Sequence, residues 1–137
     1  QYPIDGALEA IHDIAKVADV IVLTNLNDEE REGRIQQLRD VGVEFPVFTN
    51  QGGKGPLLTR LVADYQPTVT VFVDDLGHNH SSVAEHAPDV WRLHMVGEPR
   101  LQPRIKQHHD AHARIDDWAS ARQWILERFE GGAAHGA

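Results

Sequence analysis

The stretch Val69-Thr70-Val71-Phe72-Val73-Asp74-Asp75 decides the fold. Its first five residues are β-branched or aromatic with no polar alternation, the pattern of a strand covered on both faces as in a parallel sheet. It then runs directly into two adjacent carboxylates. Working outward, the same kind of run recurs at Val20-Ile21-Val22-Leu23, which ends at Thr24-Asn25, at Val47-Phe48-Thr49, and from Val90 to Val96. Amphipathic segments lie between these runs. Leu8, Ile11, Ala15 and Ala18 share one helical face over 6–18. A second helix begins near Asn27, three residues before Glu30 as in a capping box, and passes through Ile35, Leu38 and Val41 to a stop at Gly42. Pro56 suits the first turn of a third helix carrying Leu57, Leu58, Leu61 and Val62. Ser81 to His86 reads as a short fourth helix. A last one, capped by Asp116 or Asp117, buries Trp118, Ala121, Ile125 and Phe129, while 97–114 shows no periodicity.

Strands alternating with helices of this length imply right-handed crossovers, hence an α/β fold: a three-layer, Rossmann-like parallel sheet with helices on both faces. The 137 residues, 41% hydrophobic and 25% charged, fit a single domain over 1–130, with a flexible tail over 131–137. Thirteen Lys and Arg against 21 Asp and Glu leave a net charge of −8, which argues against nucleic acid and anionic membranes as partners. With no cysteine there is neither a disulfide framework nor a thiolate site. No apolar run approaches the roughly 18 residues of a membrane span, and no signal peptide is visible, so a cytoplasmic location is expected.

In open parallel sheets ligands bind beyond the carboxyl ends of the strands. Those ends carry Thr24-Asn25, Thr49-Asn50 and Asp74-Asp75, and Lys54 stands at the start of the third helix. The set is chemically coherent. Hydroxyl and amide groups can hydrogen-bond phosphoryl oxygens, a lysine can neutralise them, and paired carboxylates can hold a hard cation such as Mg2+.

The order of these residues, an apolar strand ending in Thr24-Asn25, then Lys54, then Val71-Phe72-Val73-Asp74-Asp75 with Asn79 following, resembles motifs two to four of the haloacid dehalogenase superfamily over roughly 2–96. The resemblance implies a Mg2+-dependent phosphohydrolase acting on a small phosphorylated substrate through an aspartyl-phosphate. Thr24 would then bind the transferring phosphoryl group with Asn25 beside it, and Lys54 would stabilise the charge on nucleophile and phosphoryl. Asp74 and Asp75 would hold the metal. The family's first motif, Asp-x-Asp on a central strand, is missing, since no two aspartates lie two apart in the chain. Because residue 1 is Gln and the sole Met is Met95, the expectation is that this strand and its nucleophile lie upstream.

Two other readings use the same residues. One is a catalytically inactive binding domain that keeps the fold. The other is a receiver-like domain, whose acidic pair, Thr and Lys come in a different chain order and would require circular permutation. Gly-Gly-Lys-Gly is not a phosphate-binding Walker loop, because Gly55 stands where Ser or Thr must meet magnesium. The histidines carry no assigned role here: His78-Asn79-His80 reads as a turn, and His108, His109 and His112 as an exposed, aperiodic segment.

Overall fold

The computed structural model describes residues 6–24, 28–40, 42, 44–49, 53–97 and 99–132. The fold is mixed α/β, with five helices and two small parallel sheets. The chain divides into two compact units, Gln1–Gly52 and Gly53–Ala137.

In the first unit the elements are α1 (Ala7–Ala15), β1 (Val22–Thr24), α2 (Asp28–Asp40) and β2 (Val47–Thr49). β1 and β2 pair in parallel with Thr24 opposite Thr49, so their carboxyl ends share one edge. α1 buries Ala7, Ala10 and Ile14, a face one position away from the expected Leu8, Ile11, Ala15 and Ala18. Small alanines allow close approach there, and Leu8 and Ile11 flank the contact half-buried. His12 Nε2 donates to the Gly42 carbonyl at 3.0 Å, tying α1 to the end of α2. Gly42 takes a φ of 90°, a left-handed conformation that glycine adopts freely and that stops the helix where the sequence indicated. The Asn27 cap lies outside the described residues.

The second unit holds α3 (Gly55–Tyr65), β3 (Val71–Asp74), α4 (Gly77–His86), β4 (Trp91–His94), β5 (Ala113–Arg114) and α5 (Trp118–Gly131). β4 is central, pairing in parallel with β3 on one side and β5 on the other. Its residues Arg92, Leu93 and His94, and Met95 and Val96 just after it, are buried in succession. Because successive side chains of a strand point to opposite faces, both faces of β4 are covered. Leu57, Leu58, Leu61, Phe72, Val83, Leu93, Met95, Ala121 and Ile125 form the core. Trp91 ties the sheet to α5: its Nε1 donates to the Gly132 carbonyl at 2.8 Å, and its ring meets Trp124 edge-on with centroids 5.9 Å apart. Asp117 caps α5 by accepting from the Ser120 N–H at 2.8 Å.

Three expectations change. The four expected strands do not pair into one sheet: among the described residues β1 pairs only with β2, while β3 and β4 pair with each other and β4 also with β5. The aperiodic segment contains β5, too short for any hydrophobic period and held by its pairing to β4. α4 begins at Gly77 rather than Ser81, so that His78-Asn79-His80 is helix rather than turn. No described helix is long and apolar enough to cross a membrane.

Candidate functional site

Lys54 precedes α3 in a loop whose glycines are forced by packing. A Cβ on Gly53 would come within 2.8 Å of the Ser82 Cβ, and one on Gly55 within 2.7 Å of both the Ser82 carbonyl carbon and the His86 ring. Lacking side chains, these residues let the loop press onto α4. There Ser82 Oγ accepts from the Gly55 N–H at 2.9 Å, serving a helix start that has no cap of its own. The result is a lysine only 9% exposed, with Nζ 3.3 Å from Asp74 Oδ2 and 6.0 Å from the Phe72 ring centroid.

Asp74 is the last residue of β3, and three elements converge on it. Its Oδ2 accepts from Lys54 Nζ and, at 2.5 Å, from Asn79 Nδ2 on the first turn of α4. Its Oδ1 accepts from the Asp75 N–H at 2.9 Å. The early start of α4 is what places Asn79 here, fully buried at 0% exposure. Among the described residues Asn79 Oδ1, though buried, has no hydrogen-bond partner. Asp75 is exposed, yet its carboxyl titrates above the ordinary carboxylate range, first from partial desolvation and then from the neighbouring Asp74 carboxylate.

Beneath this pair lies a group of imidazoles. His80 Nε2 donates to the Asp74 carbonyl at 3.0 Å, and His94 Nε2 donates to the Asp75 carbonyl at 3.1 Å. The His80 and His94 rings stand 5.3 Å apart. The His94 proton is assigned to Nε2 because its Nδ1 accepts from the His108 N–H at 3.0 Å. His80 is 0% exposed, and burial pushes its pKa below the usual imidazole value, with His94 and His108 nearby adding to the shift. The partner carbonyl likewise assigns its proton to Nε2, leaving Nδ1 a buried acceptor that has no donor among the described residues.

The structure therefore brings together Lys54, Asp74 and Asp75, with Asn79 as expected from the order of residues. Thr24 closes β1 in the other unit; its side chain, and Asn25 entirely, lie outside the described residues. The sequence reading missed His80 and His94. The signal for His94 was present, since it ends the fourth strand, and parallel register sets it beside Asp74. No comparable signal marked His80, whose role depends on where α4 begins.

His108 and His112 are half-buried rather than exposed, and only His109 stays at the surface. His108, His109 and Asp110 offer ligand atoms within 4.8 Å of one another, a grouping that could hold a metal ion. Their hydrogen-bonding capacity already serves the loop: His108 Nδ1 accepts from the Asp110 N–H at 3.1 Å, and Asp110 Oδ2 accepts from Ser81 Oγ at 2.7 Å.

Carboxylate and amide oxygens are the donors a hard cation such as Mg2+ takes, and Asp74, Asp75 and Asn79 carry them, with both Asp74 oxygens already accepting hydrogen bonds inside the group. Neither a protein-family description, nor a curated protein, nor a solved structure matches the chain.

Proposed function

We propose that this chain is the lysine- and metal-carboxylate-bearing part of a haloacid-dehalogenase-like phosphohydrolase. Mg2+ at Asp74, Asp75 and Asn79 would neutralise phosphoryl charge. The observation that carries this reading is the Lys54–Asp74–Asn79 constellation: a buried cation, a strand-end carboxylate and a buried amide acceptor assembled from three elements. Lys54 orients Asp74, and its remaining ammonium protons can meet an anionic substrate oxygen. Asn79 fixes the rotamer of Asp74, leaving Oδ1 toward the Asp75 amide.

None of these groups is a phosphoryl acceptor, and the chain has no Asp-x-Asp pair. The nucleophile and its proton-transfer partner would come from sequence preceding these residues. Phosphate release from p-nitrophenyl phosphate in Mg2+ tests this in two proteins, the 137-residue chain and a longer one in which an Asp-x-Asp-bearing strand is joined ahead of it. The longer protein should turn over, the shorter should not, and Asp74→Asn in the longer one should slow turnover on the order of 100-fold or more. Turnover by the shorter chain, or inactivity of both, would overturn the proposal, the latter in favour of a binding domain.

A further inference from the structure

Asp74 and Asp75 present consecutive carbonyls, and each receives a hydrogen bond from a different buried imidazole. His80 comes from α4 and is 0% exposed; His94 comes from β4 and is 2% exposed. Asp74 O also accepts from the Met95 N–H at 3.1 Å, so the ladder alone already satisfies it, and the imidazole is an addition. Asp75 lies beyond the last β3–β4 pair, Asp74 with His94, and its carbonyl is held by the His94 side chain where the ladder has ended. His94 is itself fixed by the His108 N–H, and His108 is seated against Gly77, where any Cβ would overlap its ring.

We infer that His80 and His94 are positioning residues for the acidic turn, two imidazole donors that lock the main chain of Asp74 and Asp75 so that both carboxylates point to one cation. This rests on the divalent-cation reading of the site given above. The physical reason is preorganisation: residues behind metal ligands set ligand direction, and their loss typically weakens metal affinity about 10- to 100-fold. A Gly or Ser ladder end would leave the Asp75 peptide free to rotate, and the separation of the two carboxylates would fluctuate with it. Two buried rings are a costly way to fill space, because His80 Nδ1 goes without a donor among the described residues.

The test uses Mn2+ alone, followed by electron paramagnetic resonance, with amide hydrogen exchange at 75–77 measured without metal. His94→Gln keeps a donor at the Nε2 position, whereas His94→Asn keeps the acceptor for His108 but cannot reach the Asp75 carbonyl. Both introduce a buried amide, so a merely structural role predicts equal effects. The expected result is Mn2+ affinity about 10- to 100-fold weaker in His94→Asn and near wild type in His94→Gln, with faster exchange only in the former. The pair His80→Asn and His80→Gln should behave alike. Equal affinity across each pair, or unchanged exchange in His94→Asn, overturns the inference. If the wild-type chain takes up no Mn2+, the divalent-cation reading fails, and unchanged exchange would then sink the positioning role separately.

Discussion

Two buried charges sit on neighbouring strands of one sheet and differ in how their networks close. Arg92, 5% exposed on β4, sends Nε to the Asp110 carbonyl at 2.6 Å and Nη1 to the carbonyls of Pro88 and Val90 at 3.2 and 3.1 Å. Its backbone N–H donates to His112 Nδ1 at 2.9 Å. Every acceptor but that ring is main chain, and the guanidinium closes the loop around β5. Asp74 is held by the Lys54 and Asn79 side chains and by the Asp75 N–H, and among the described residues the Asn79 amide oxygen beside it has no partner. The Arg92 guanidinium closes mainly on main-chain carbonyls, whereas the Asp74 carboxylate draws together side chains from two other parts of the unit.

The largest expected effect breaks the first network. Arg92→Leu leaves three carbonyls without their donor and should cost on the order of 3 kcal/mol in urea denaturation. Asp74→Asn keeps the shape and most hydrogen bonds of the turn but leaves the buried Lys54 without its counter-charge, so it should cost on the order of 2 kcal/mol while abolishing Mn2+ uptake. A larger loss of stability for Asp74→Asn than for Arg92→Leu would erase the distinction.

A smaller effect joins the two networks. Gly77→Ala drives a methyl into the His108 ring, which supports His94, and should cost about 2 kcal/mol as overpacking. Because His108 also precedes the Arg92 partner Asp110, thermal melts of Gly77→Ala alone and combined with Arg92→Leu should show a combined loss differing from the sum. Strict additivity would show the two networks to be independent.

The smallest effect is a pH slope. Burial first, then Arg92, lowers the His112 pKa below its unfolded value near 6.5. The unfolded chain therefore takes up the proton more readily, so stability is full above pH about 6.5 and declines as pH falls toward the lower folded value. His112→Asn keeps an acceptor for the Arg92 N–H without titrating. Urea midpoints between pH 7.5 and 5 should fall less steeply in that variant than in wild type, and equal slopes would exclude His112 as a contributor.

Much of the architecture was legible in the sequence. Unbroken apolar runs marked β1 to β4, and Gly42, Pro56 and Asp117 marked helix ends, because local backbone preferences act over a few residues. The α1 face was misread by one position, because Leu and Ile outweigh Ala in a periodicity count although Ala packs closer. β5 was invisible: two residues carry no period, and Ala113-Arg114 is a strand only because β4 lies beside it.

The sequence by itself determined which chemical groups exist and where strands end: Asp74-Asp75 after an apolar run, Lys54 between glycines, no Asp-x-Asp and no cysteine. Only the tertiary structure decided which groups meet. Lys54 reaches Asp74 because Gly53 and Gly55 admit Ser82, and Asn79 is delivered by a helix starting four residues early. His80 and His94 became donors to consecutive carbonyls through packing and parallel register. The reason is range: propensity and periodicity act through neighbours in the chain, whereas these contacts span as many as 27 residues, as between Gly55 and Ser82, and depend on the burial that only the assembled core creates.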